Sequence, residues 1–108
     1  MRARVMRDPR DADTDNTRTV IETRIAYDAH ISDLARRLYI GLCGAGAWSH
    51  SLEVRTRDWA RRLRVSPEAI RKALRQLADH GYLRRSVRQG ARTQRISMPL
   101  EQAAGPHD

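Results

Sequence analysis

Apolar residues recur with a helical period in three stretches of the chain and with a period near two in several others. Leu34, Ala35, Leu38, Tyr39 and Leu42 form one stripe of an amphipathic helix. Ser32 is placed to cap that helix, Asp33 sits in its opening turn, and Gly44-Ala45-Gly46 closes it. A second helix is predicted after Thr56 as N-cap, with Asp58 in the first turn and Trp59, Ala60 and Leu63 inward. Arg64-Val65 turns the chain. Ser66-Pro67-Glu68 then supplies a cap hydroxyl, a proline where no N–H is needed and an acid at the positive end of a helix. That third helix is predicted over 67–80, with Ile70, Ala73, Leu74, Leu77 and Ala78 inward and Gly81 as its C′ glycine.

The period-two signals lie on either side. Thr19 to Tyr27 alternates β-branched residues and predicts a short N-terminal strand. Trp48 to Val54 reads as a connection with a short strand around Leu52. Tyr82 to Val87 and Arg92 to Met98 predict a hairpin whose tip is Arg88-Gln89-Gly90-Ala91, and Pro99 stops it. Residues 1–18, rich in alternating Arg and Asp, read as a flexible arm, 19–98 as the folded domain, and 99–108 as a loose tail.

With 108 residues and 40% hydrophobic composition the chain suits one small domain. Trp59, Tyr39 and Tyr82 are expected in its core, Cys43 as a small buried hydrophobe beside them, and Trp48 at the end of the first helix. Cys43 is the single cysteine, which excludes an intramolecular disulfide and a cysteine zinc site and fits a reducing compartment. Residues 1–15 lack the apolar run of a signal peptide, and Tyr39 to Trp48 is too short to cross a bilayer. The expectation is a cytoplasmic protein, nucleoid-associated when bound to DNA, with no membrane partner.

Charge changes this picture most. Val54 to Arg95 holds thirteen Lys/Arg against three acids (Asp58, Glu68, Asp79), a net +10; the rest of the chain carries eight bases against ten acids, a net −2. The excess therefore falls on the helix, turn, helix and hairpin. A cationic surface on such a framework suits the phosphate backbone of DNA. Twenty of the 21 bases are Arg, whose planar fork pairs with phosphate or guanine.

The segment Thr56 to Leu74, with Trp59, Leu63, Val65, Ile70 and Ala73 as the wedge between crossed helices and a small Ala60 beneath the second helix, resembles a helix-turn-helix of the winged-helix superfamily. Leu74 to Leu83 is similar to that superfamily's helix end and entry to the wing. The part from the third helix to the hairpin looks like the DNA-binding domain of GntR-type regulators. Ser32 through Trp59 looks more like winged-helix domains of plasmid or phage replication and regulatory proteins. The resemblance implies an α+β fold: a winged helix-turn-helix of three helices plus a C-terminal β-hairpin wing, with the short N-terminal strand added. The turn departs from the pattern, with Arg64 where glycine is common, a change that costs little if Arg64 avoids a left-handed conformation.

Roles follow from the faces. Pro67, Glu68, Arg71, Lys72 and Arg75 turn toward solvent on the third helix and would enter the major groove. Arg71 and Lys72 are the candidates for guanine edges, ~1–3 kcal/mol each when bidentate. Ser66 could hold a phosphate with the helix N-terminus, and Glu68 either accepts from cytosine or stabilises the first turn. Arg88, Arg92 and Gln89 at the hairpin tip would reach a minor groove, flanked by Arg84, Arg85 and Arg95 on phosphates. Arg55, Arg57, Arg61 and Arg62 would meet the backbone across the groove.

His30, His50, His80 and His107 lack metal-site spacing, and no catalytic arrangement or phosphate loop is legible. The reading expects no enzyme activity, no metal, no cofactor and no small-molecule ligand. The expected partners are double-stranded DNA and a second copy, with residues 19–27 and the first helix as pairing surface. A transcriptional regulator, often a repressor, is the leading expectation. A plasmid or phage replication or partition protein on repeated sites, and a winged-helix protein-interaction module, are the alternatives.

Overall fold

A computed structural model describes residues 9–86 and 93–99, with side chains from residue 16 onward. Within them the elements run α1 (Pro9–Tyr27), α2 (Asp33–Gly44), β1 (Leu52–Arg55), α3 (Thr56–Leu63), α4 (Pro67–Asp79), β2 (Arg84–Ser86) and β3 (Thr93–Ser97). The fold is α+β, with four helices and a three-stranded antiparallel sheet among the described residues.

The N-terminal segment corrects the expectation. Pro9 to Tyr27 is one helix, so Thr19 to Tyr27 is not a strand, and the helix begins within the segment read as an arm. The β-branched residues satisfy two periods at once. Thr19, Ile21, Thr23 and Ile25 alternate, but Thr17, Ile21 and Ile25 also lie one turn apart, and these three are the buried ones. A helix closes its own backbone hydrogen bonds, whereas a strand here would need a neighbour. Arg18 and Glu22 add an i,i+4 pair at 2.9 Å. Arg36 on α2 donates to the carbonyls of Ile25, Asp28 and Ile31 at 3.1, 2.7 and 3.1 Å, which satisfies the end of α1.

The later helices begin and end for reasons visible in their sequences. The hydroxyls of Ser32 and Ser66 accept from Ala35 N–H and Ala69 N–H, each at 3.1 Å. α3 differs by one residue: its N-cap is Arg55, with no side-chain cap bond, and Thr56 is buried in the first turn. Three helix ends share one closure. Ala47, Val65 and Tyr82 donate to the carbonyls of Leu42, Ala60 and Leu77. The residue before each donor has positive φ: Gly46 at 101°, Gly81 at 81° and Arg64 at 60°. Arg64 thus takes the left-handed conformation (ψ 48°), so the departure from glycine carries a backbone cost. The six-to-one bond at the end of α3 demands that conformation whatever the side chain.

The sheet order is β1-β3-β2, with Leu52 opposite Ile96, Val54 opposite Gln94, Arg84 opposite Ser97 and Arg85 opposite Ile96. The strand expected around Leu52 is therefore an edge of the sheet. β2 begins at Arg84 rather than at the expected Tyr82, and Tyr82 and Leu83 are core residues of the connection from α4. Val87 to Arg92, which include the expected hairpin tip, lie outside the described residues, as do 1–8 and 100–108.

One core joins Leu38, Tyr39, Leu42, Val54, Trp59, Ile70, Leu74, Leu77, Tyr82 and Ile96. Trp48 is buried within it and caps nothing, the end of α2 being closed by Ala45 to Ala47. Cys43 is only partly buried against this core rather than enclosed, and burial pushes its thiol pKa up.

Candidate nucleic-acid interface

α3 and α4 cross through a three-residue turn, Arg64 to Ser66, and their facing sides are apolar. Trp59 and Ala60 meet Ile70, Ala73, Leu74 and Leu77, with Leu63 and Val65 half-buried at the margin. Burying that side of α4 leaves Glu68, Arg71, Lys72, Arg75 and Asp79 exposed on the other. Arg71 Nη1 lies 2.8 Å from Glu68 Oε1, one turn back. Lys72 and Arg75 make no ion pair or hydrogen bond among the described residues.

The position of α4 is fixed by groups that sequence reasoning missed. The Gln76 amide grips the turn between α1 and α2: its Oε1 accepts from Ser32 N–H at 2.9 Å and its Nε2 donates to His30 carbonyl at 3.2 Å. Just beyond α4, the Tyr82 hydroxyl donates to Asp28 Oδ2 at 2.6 Å, and Arg24 of α1 lies 4.8 Å from the centre of the Tyr82 ring. The hydrogen bonds from Tyr82 and from His30 N–H hold the Asp28 carboxyl below its ordinary pKa. The His30 and His80 rings stack at 6.3 Å nearby. No local pattern marks these partners, because each joins segments distant in sequence.

On α3, Arg57, Arg61 and Arg62 are exposed, with Asp58 4.0 Å from Arg61. Arg62 lies over the Trp59 ring, 4.7 Å from its centre, so its guanidinium is partly positioned by the core tryptophan. Asp58, Arg61 and Arg62 line a surface depression of about 320 Å³. Ser66 spends its acceptor on Ala69 N–H, while its O–H is left to donate, and Pro67 is half-exposed beside it.

The sheet divides the remaining arginines. Cross-strand partners share a face, so Arg55, Glu53, Arg95, Ser86 and Arg84 lie on the outer face, while Val54, Gln94, Ile96 and Arg85 lie on the inner one. Arg85 is half-buried and donates to Gln94 Oε1 at 3.1 Å. Arg95 donates to Ser51 Oγ at 3.1 Å and pairs with Glu53 at 3.5 Å. The predicted residues thus form an α3–α4 group and an outer-sheet group, with Arg85 apart from both. Arg88, Gln89 and Arg92 lie outside the described residues.

No cluster of three His, Cys, Asp or Glu side chains suited to a metal ion occurs among the described residues. No described helix is long and apolar enough to cross a membrane. Comparison of the chain with family models, with curated proteins and with solved structures yields no match.

Proposed function

We propose that this chain is a winged helix-turn-helix protein that binds double-stranded DNA in a sequence-dependent way and acts as a transcriptional regulator. In this reading α4 enters the major groove, β2 and β3 form the wing, and Arg57, Arg61 and Arg62 of α3 meet the phosphates beside the groove. The chain works by occupancy and performs no catalysis.

The observation that carries the reading is the two-sidedness of α4. Its inner side is tied into the core, so its outer side is presented rigidly, and that side offers Arg71, Lys72 and Arg75 between two carboxylates at the helix ends, Glu68 and Asp79. A helix of this width fits the major groove of B-form DNA. The net +10 between Val54 and Arg95 supplies attraction to any duplex, and the fixed side chains supply the reading.

Self-association on a repeated site belongs to the same proposal, since one domain covers only one half-site. The surface expected on residues 19–27 is now a helix face, where Val20 and Tyr27 are 59% and 86% exposed. A monomeric mass both free and on DNA would remove this part.

Titration of a labelled duplex across salt concentrations tests the whole. Six to ten phosphate contacts give a log–log slope of about −5 to −9. Binding without salt dependence, or none, refutes the reading.

A further inference from the structure

Of the two acids exposed on the outer side of α4, Asp79 is its last residue and Glu68 stands at its leading end. Glu68 is the second residue of the helix, and it is 74% exposed, while Arg71 is 48% exposed. Their contact, Arg71 Nη1 to Glu68 Oε1 at 2.8 Å, ties down one edge of the guanidinium. Lys72 and Arg75, behind them, carry no such tie.

Simple attraction to phosphates does not call for this arrangement. A carboxylate at the leading end repels the backbone and neutralises part of the charge that draws the duplex in. What it gains is direction: a guanidinium held at one edge presents its other N–H groups in a fixed plane, the geometry that the N7 and O6 acceptors of guanine require. The second oxygen of Glu68, Oε2, accepts no hydrogen bond among the described residues. In the major groove the exocyclic amine of cytosine is a donor that such an oxygen can accept from. Neighbouring side chains one helical turn apart lie about 5–6 Å apart at Cβ, within reach of two adjacent base pairs.

We infer that Glu68 is the specificity-determining residue of the interface. It positions Arg71 on a guanine and selects, with its own carboxylate, a cytosine at the adjoining base pair, at the expense of binding to duplexes that lack this step. This rests on the DNA-binding reading above and adds to it the base step being read.

Selection of bound sequences from a randomised duplex pool, with affinities for a random-sequence duplex alongside, tests the inference on the full chain. Wild type enriches adjoining guanine and cytosine. Glu68→Ala binds the random duplex about threefold to tenfold more tightly, loses the cytosine preference and weakens the guanine preference at least tenfold. Glu68→Gln keeps an acceptor for Arg71, so it restores much of the guanine preference while random binding stays raised. Arg71→Ala loses the guanine.

A Glu68→Ala protein with wild-type base preferences and unchanged random-duplex affinity overturns the inference while leaving DNA binding in place. So does one that loses affinity for all sequences alike, since Glu68 would then serve only the helix. A wild-type chain that binds no duplex overturns the DNA reading itself and this inference with it.

Discussion

Trp59 of α3 rests so close to Gly41 of α2 that a Cβ on Gly41 would stand 2.6 Å from Cζ3 of the indole. The glycine is what lets α3 approach α2, and through Trp59 it sets where the turn into α4 begins. A methyl at position 41 has to push a core indole, because nothing flexible lies in its path. Gly41→Ala is expected to destabilise the fold by about 1–3 kcal/mol. Thermal or denaturant melting measures this; an unchanged midpoint would show that the indole moves at little cost.

Arg64 offers the opposite change. It is the only non-glycine residue with positive φ among those described, and the two equivalent helix-closing positions are Gly46 and Gly81. A left-handed conformation costs a side chain roughly 1–2 kcal/mol, and glycine returns part of this through its freer unfolded chain. Arg64→Gly is therefore expected to raise stability by about 0.5–1 kcal/mol. A lower melting midpoint would mean that the guanidinium stabilises the turn in some other way.

The Asp28–Tyr82 bond predicts a pH dependence on both sides of neutrality. Asp28 ionises below its ordinary value because Tyr82 and His30 donate to it. Its contribution is therefore present above the ordinary carboxylate range, about pH 4, and is lost as pH falls through the depressed folded value. Tyr82 shifts upward, through burial first and then through its bond to Asp28. That contribution is present below about pH 10 and is lost as pH rises through the raised folded value. Melting midpoints followed against pH should show a flattened acid limb in Asp28→Asn, and both limbs flattened in Tyr82→Phe. An Asp28→Asn curve parallel to wild type would show that the bond contributes nothing to folding.

Lys72 and Arg75 have no ion pair or hydrogen bond to lose among the described residues, so their removal reads out DNA contact directly. Lys72→Ala and Arg75→Ala should each reduce the salt slope by about 1 while leaving melting within about 0.5 kcal/mol of wild type. A slope that does not move in either variant would place the phosphates elsewhere.

Local signals account for most of what the sequence made legible. Ser66-Pro67-Glu68, the stripe from Ile70 to Leu77, the cap at Ser32 and the glycine at 81 each act within one turn of themselves, and each element lies where those residues put it. Thr19 to Tyr27 misled because its β-branched residues fit either period, and only burial of Thr17, Ile21 and Ile25 on one side distinguishes them. The candidate site divides in the same way. The solvent side of α4 could be read from its helical period. The parting of Arg85 from Arg84 and Arg95 depends on strand register, where a shift of one residue exchanges the two faces. Gln76 and Tyr82, which hold α4 in place, find partners in segments whose proximity exists only after folding.

The grip of Gln76 on the turn after α1 has a mechanical consequence. One amide both accepts from Ser32 and donates to His30, so a small displacement of α4 pulls that turn along with it. The last residues of α1 lead directly into the turn, and Tyr27 stands there in solvent. A load on the basic side of α4 would thus be felt on the far helix, where slower amide exchange in residues 24–27 on adding duplex would record it, and Gln76→Ala should abolish the effect.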